Sequence, residues 1–403
     1  MRPLLLTGLL VLCTAFSAIS QTRVVGYLPT YRFTFPVDYS KLTHLNLSFA
    51  KTDGAGNLSF SSNITPIVNA AHDKGVKVLA SIGGAGVTAT EAGYYSNLQQ
   101  SGNVKDFVSK IKSFLIANNL DGLDVDLEGN NIGANYELFI TTLADTLKPA
   151  GLSLTAALAI WNGDKVSATA AQSFDFINMM AYDATGPWNP NNEGQHSSYD
   201  FALEHINYWL LTKGIAKSKL VLGLPFYGYE FDNGGPVESW TYASILSNFS
   251  GQSPSTKDQI GSLYYNGAET IEEKTELALF KVSGVMIWEL GQDAIGDASL
   301  LKVINDVTGP VGVDEKEFSK FAVSVFPNPI SDEVSVSWST NGRREWSVEI
   351  RNALGIQLGS DWDIQLSNEH GRAELNMSEF PEGVYHVILR SESESLSTQV
   401  LKK

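Results

Sequence analysis

Four acidic residues within eight positions, Asp121-Gly122-Leu123-Asp124-Val125-Asp126-Leu127-Glu128, carry the densest potential chemistry in the chain. On an extended strand successive side chains alternate faces, so Asp124, Asp126 and Glu128 share one face and Leu123, Val125 and Leu127 the other. Carboxyl groups stacked on one confined wall cannot all ionise, since each charge raises the cost of the next. At least one is expected to keep its proton near neutral pH, and a protonated carboxyl there is what a general acid requires. At roughly 6% for each acidic residue type, four acids at fixed positions arise by chance in about one chain in two hundred of this length. A solvated acidic edge strand is therefore the weaker alternative. Asp121 falls on the opposite face, where capping or ending the strand suits it better than catalysis.

Such a strand needs a scaffold that points one face inward. From Arg23 to about Gly309 short apolar runs alternate with helix-like patterns. The runs are Arg23–Pro29, His44–Ala50, Lys77–Gly84, Gly122–Glu128, Leu152–Ile160, Phe176–Asp183, Leu220–Gly228 and Gly284–Leu290. Among the segments between them, Val104–Leu115 places Val104, Phe107, Val108, Ile111, Phe114 and Leu115 on one helical face. Another helix is expected to start at Ser197, with Asp200 as its capping-box partner, and to stop at Gly214. Eight strand-like runs interleaved with helices predict an α/β fold, a (β/α)8 TIM barrel, with a doubly wound open sheet as the rival.

The rest of the composition narrows the partners. The chain has 403 residues, 28 basic against 44 acidic, for a formal net charge of −16. That balance disfavours nucleic acid and anionic lipid surfaces, which need clustered Lys and Arg. One cysteine, Cys13, excludes disulfide frameworks and thiolate zinc sites. None of the six histidines forms a metal-type spaced pair, so neither a metal nor a cofactor is expected. Residues 1–20 read as a secretory signal: Arg2, an apolar run Leu4–Phe16, then Ala18-Ile19-Ser20, with a cut near Gln21. An N-terminal membrane anchor is the alternative, but the run is shorter than the roughly 20 residues a span takes.

The acidic segment resembles the DxxDxDxE hallmark of glycoside hydrolase family 18, the chitinases and their relatives, with Asp121, Asp124, Asp126 and Glu128 in its four acidic positions. Ser81-Ile82-Gly83-Gly84 is similar to the family's SxGG, and Met180-Ala181-Tyr182-Asp183 to its MxYD. Leu222–Gly228 and Gly284–Trp288 look like its seventh and eighth strands, so the resemblance spans about Arg23–Gly309. It implies hydrolysis of β-1,4-linked N-acetylglucosamine polymers by substrate-assisted catalysis, an exception to the usual two-carboxylate scheme. Under it Glu128 donates the proton, Asp126 supports the substrate's acetamido group, and Asp124 shares a proton or hydrogen bond with Asp126. Tyr182 and Asp183 hold the sugar, Trp288 floors it, and Met180, Tyr27 and Tyr227 border it. Trp188 could stack on a neighbouring sugar, while Gly83 and Gly84 permit close backbone packing near it. Leu127 departs from the aromatic residue that many members carry. The 55-odd residues between the seventh and eighth runs look too short for the α+β insertion of deeper-cleft members.

Composition shifts after Gly309. The expected division is a signal at 1–20, a barrel at 21–309, a charged linker at 310–320 and a β-sandwich at 321–403. The last segment resembles the C-terminal sorting domain of the type IX secretion system, through Val325-Phe326-Pro327-Asn328-Pro329, Asn352-Ala353-Leu354-Gly355 and Gly383-Val384-Tyr385 before Lys402-Lys403. Six strands are predicted in it, with turns at Pro327-Asn328-Pro329 and Asn341-Gly342. A carbohydrate-binding module is the rival, resting on exposed faces for Trp338, Trp346 and Trp362. The sequence thus predicts a monomeric secreted or surface-attached chitinase that works with the secretion machinery. An endo-β-N-acetylglucosaminidase and a non-catalytic chitin-binding barrel are the alternatives.

Overall fold

The structure is a computed structural model that describes residues 22–231, 235–309 and 323–403, except 327–329, 331, 340–345, 353–355, 359–362, 367–369 and 392–393. The signal-like segment, the cut near Gln21, the 310–320 linker, the Pro327-Asn328-Pro329 and Asn341-Gly342 turns, Ala353-Leu354-Gly355 and Trp362 lie outside those residues.

Each of the eight apolar runs contains a strand. They are β1 (Arg23–Pro29), β2 (His44–Thr52), β3 (Lys77–Gly83), β4 (Gly122–Asp126), β5 (Ser153–Leu158), β6 (Phe176–Met179), β7 (Leu220–Pro225) and β8 (Gly284–Trp288). Neighbours pair in parallel around the ring, and β1 pairs with both β2 and β8, so the sheet closes and the open-sheet alternative falls. Outward side chains such as Leu123, Val125 and Leu154 meet the helices, including Val104–Ala117 with Phe107 and Ile111 buried. A second apolar cluster fills the lumen, with Val25, Tyr27, Phe176, Val221 and Met286. Several runs outlast their strands because the chain turns to build the C-terminal mouth: β6 ends at Met179, before Tyr182 and Asp183.

Three expectations need correction. Ser198, not Ser197, caps the next helix (Tyr199–Asn207), accepting from Phe201 N, because Ser197 is buried and donates to Ala181 O. The stretch between β7 and β8 does hold a small insertion: a four-stranded antiparallel sheet from Tyr227 to Tyr264 with a helix at Tyr242–Asn248. Its first strand, Tyr227–Glu230, continues the seventh run after a break at Phe226. Among its described residues the C-terminal segment has eight strands rather than six, in two four-stranded antiparallel sheets; Gln357–Leu358 and Asp363–Leu366 are too short to stand out in the sequence.

Trp338 and Trp346 are 2% and 6% exposed and pack against each other in the core between those sheets. A ligand-binding aromatic face cannot be built from buried rings, which removes the support they lent to a carbohydrate-binding module. That core, with Val336, Ile350 and Val387, shares no residue with the barrel clusters. The helix Ala268–Lys281 meets this domain through a Glu276–Arg390 ion pair and a Phe280–His386 ring contact. These contacts are partly buried side-chain pairs between two separate cores. Deleting residues 319–403 is therefore expected to leave the barrel folded, with a thermal midpoint within about 5 °C of the full chain. Loss of cooperative unfolding in a calorimetric scan would contradict that independence.

Candidate active site

Strand register builds the site from the bottom up. Asp124 lies between Ser81 of β3 and Thr155 of β5 as a direct parallel partner of both. One lumen layer therefore holds three polar side chains abreast. Ser81 Oγ and Tyr27 Oη donate to Asp124 Oδ2 at 2.7 and 2.8 Å. Thr155 Oγ1 and Asn178 Nδ2 donate to Oδ1 at 2.6 and 3.3 Å. Burial pushes the Asp124 carboxyl up, while those bonds, from Thr155 foremost, pull it back. The net effect is a raised pKa, but a carboxyl receiving four donors has both oxygens occupied as acceptors, an arrangement that favours its ionised form.

Asp126 is the member whose proton is held hardest. It is 4% exposed, and burial first, then Glu128 and Asp124, holds its pKa well above the carboxylate range. Its Oδ1 has no hydrogen-bond partner among the described residues. No hydrogen bond joins it to Asp124 among the described residues, and the Asp124 charge is one of the causes that raise its pKa. Asp126 pairs in register with Gly83, where a Cβ would sit 2.2 Å from Asp126 O, and Gly84 N donates to that carbonyl at 2.7 Å. A side chain at Gly83 would also meet a φ of +104°, so glycine is required where the backbone closes on the acid.

Glu128 follows the strand end and lines a cleft with Tyr27, Phe49, Ala85, Asp126, Ala157, Trp161, Met180, Tyr182, Asp183 and Trp288. Burial and the nearby Asp183 charge raise its pKa to about 7. Trp288 meets Tyr27 edge-on at 5.5 Å and Phe49 at 5.9 Å, contacts that fix its ring in the cleft lining. Tyr182 is 5% exposed, with Oη 3.8 Å from Met286 Sδ.

Seven expected site residues, Asp126 among them, thus converge on one cleft, while others stand apart. Asp124 lies beneath the cleft. Tyr227 does not line it; its Oη donates to Asp183 Oδ1 at 2.5 Å, so it acts through that carboxylate. Trp188 is 58% exposed on the rim, packed edge-on to Tyr229. Asp121 accepts from His72 Nε2 and Val78 N, both at 2.7 Å, at the far end of the strand. Phe49, Trp161 and Tyr229 escaped the sequence reading. Trp161 directly follows the fifth run, where barrel sites are built, and that position was the available signal. No group of metal-ligating side chains occurs among the described residues.

Residues 23–293 match the model described as glycosyl hydrolases family 18, and residues 324–403 that of a secretion system C-terminal sorting domain. The GH18 chitinase ChiB from the chitin utilization locus of Flavobacterium johnsoniae is 38% identical, with a TM-score of 0.67, over 71% of this chain and 93% of that one. A chitinase from Bacteroides thetaiotaomicron is 31% identical, with a TM-score of 0.63, over 71% and 96%. The secreted chitinase LysM12 of Penicillium expansum is 28% identical over 276 residues, 58% of this chain. The chain spans 18 to 54% of the length of the first three curated relatives it matches.

Because Asp183 holds the Glu128 proton on, Asp183→Asn should move the alkaline limb of any Glu128-dependent reaction down by roughly half a pH unit. A pH–rate profile checks this, and a limb that stays put or rises contradicts it.

Proposed function

The chain belongs to glycosyl hydrolase family 18, and on that premise we propose that it is a retaining chitinase hydrolysing β-1,4-linked N-acetylglucosamine polymers. The observation that carries the reading is the row Asp124–Asp126–Glu128 running out to the cleft, with Asp124 held by four donors, Asp126 unpartnered at Oδ1, and Glu128 raised to about 7 by burial and Asp183. A cleft with a half-protonated carboxyl at its mouth and an aromatic floor suits an uncharged sugar polymer.

In the proposed reaction the Glu128 proton passes to the glycosidic oxygen as the C1–O bond breaks. The substrate's acetamido carbonyl oxygen forms a bond to C1 from the opposite face, giving a cyclic oxazolinium-like intermediate. Asp126, its Oδ1 unpartnered, takes up a hydrogen bond with the acetamido N–H as positive charge develops. Tyr182 and Asp183, on the wall beside Met180, hold the acetamido group for that attack, a proximity effect. Glu128, now anionic, removes a proton from water as water opens the intermediate, so the β configuration returns. Trp288 stacks beneath the reacting ring, with Trp161 and the rim Trp188 beyond it. The C-terminal sorting domain addresses the enzyme for export across the outer membrane, to the medium or the cell surface, and chitin would be met there.

Glu128→Gln keeps shape and hydrogen bonding but removes the acid, so kcat on chito-oligosaccharides should fall about 10²-fold or more while binding survives. Near-normal turnover would remove Glu128 from the role. Since the acetamido group is the nucleophile, cello-oligomers should resist cleavage and the first product seen by NMR should be the β anomer. An initial α product, or cleavage of high-mannose glycopeptide in place of chitin, would sink the chitinase reading.

A further inference from the structure

Asp183 follows the sixth strand in a left-handed backbone conformation, φ +67°, that aims its carboxylate across the cleft wall. Its Oδ1 collects hydrogen bonds from Tyr227 Oη at 2.5 Å and Tyr229 Oη at 3.1 Å. A third group faces the same oxygen. His196 is fully buried and places Nδ1 3.6 Å from Asp183 Oδ1, with no hydrogen-bond partner on that nitrogen. Its other nitrogen, Nε2, lies 3.3 Å from the backbone carbonyl of Tyr227.

These two neighbours constrain the ring. A carbonyl oxygen only accepts, so Nε2 must carry a hydrogen. In a neutral imidazole Nδ1 would then present a lone pair to a carboxylate, a repulsive contact at a fully buried ring. With both nitrogens protonated, each neighbour receives a donor and Asp183 acquires an opposite charge.

The loop is built to hold the ring there. Ala184 N donates to His196 O at 3.0 Å, so the chain returns to the cleft motif twelve residues after leaving it. Ser197 Oγ donates to Ala181 O at 2.7 Å, and the buried Lys274 Nζ donates to Ser197 O and Oγ at 2.6 and 2.8 Å. Tyr227 and Tyr229 contact the imidazole, with ring centroids 5.0 and 4.9 Å away. The titratable groups around His196 are thus Asp183, the two tyrosines and, behind Ser197, Lys274 with Asp258 beyond it. Burial lowers Lys274 to about 7, so its opposing charge is weakened near neutrality.

We infer that His196 is a positioning residue of the reaction, a buried imidazolium that pairs with the Asp183 carboxylate and holds it at the cleft wall. This rests on the proposed chitinase reading for its consequence in catalysis, but the pairing itself is independent of substrate. With His196 charged, the Asp183 charge is only partly offset as seen from Glu128, so Asp183 still raises the Glu128 pKa. Without that charge Asp183 acts on Glu128 uncompensated, and the proton is held to higher pH.

Two measurements on the full chain test this. In protein labelled with ¹⁵N at histidine, His196, identified by comparison with His196→Asn, should give the imidazolium pattern at pH 7 and a neutral pattern in Asp183→Asn. A neutral pattern in the unsubstituted protein overturns the pairing without any assay of activity. In kinetics, His196→Asn should lower kcat on chito-oligosaccharides about tenfold with little change in KM. It should also move the alkaline limb upward by about half a pH unit, a shift that a purely structural role would not produce. Unchanged kcat and limb in this variant, beside an active parent, overturn the inference alone. An inactive parent instead counts against the chitinase reading and leaves the spectroscopic outcome to decide the pairing.

Discussion

Carboxyl groups taken out of water into a barrel lumen dominate the design of this molecule. An ionised carboxylate costs several kcal/mol to bury unless its oxygens are hydrogen-bonded or it keeps its proton. Both remedies are used, on neighbouring residues of one strand. Asp124 is satisfied by donors from four other strands: Tyr27 on β1, Ser81 on β3, Thr155 on β5 and Asn178 on β6. Asp126, two residues on, lacks such donors and keeps a proton. Much of the inward polar composition of the barrel follows from holding the first acid charged so that the second is not.

The same electrostatics pass outward to the working acid. Glu128 is only partly removed from solvent and titrates near neutrality, where it can both give and take a proton. Its further charge neighbour, Asp183, is itself gripped by Tyr227, Tyr229 and His196. Two of those three come from the small inserted sheet and one from a loop tied to Lys274. The insertion is therefore part of the site's support as well as its rim. The C-terminal sheets keep a separate core, as an export address can, because nothing in the cleft depends on them.

The sequence revealed the parts governed by local period and spacing. Alternation placed Asp124, Asp126 and Glu128 on one face, and the apolar runs located every barrel strand within a few residues. The parts set by partners distant in the chain stayed hidden. Nothing around Ser81, Thr155 or Asn178 announces that they converge on Asp124, since register across β3, β4, β5 and β6 decides it. His196 sits in a polar loop with no periodicity, and only the hydrogen bonds that fold this loop back on Ala181 and Ala184 bring it to Asp183. Tyr227 was legible as a site residue but not in its role, because its hydroxyl direction depends on the break at Phe226. Trp338 and Trp346 misled for the opposite reason: alternation on a strand gives two faces without saying which is covered.

Direct titration of the carboxyl groups tests the central claim most closely. In protein carrying ¹³C at the aspartate and glutamate carboxyls, with Asp126→Asn and Glu128→Gln used for assignment, Glu128 should titrate at about 7. The Asp126 signal should remain that of a protonated carboxyl well above the ordinary aspartate range, while Asp124 holds the carboxylate signal at neutral pH. Titration of both Asp126 and Glu128 at about 4, the value of solvated side chains, would contradict the account.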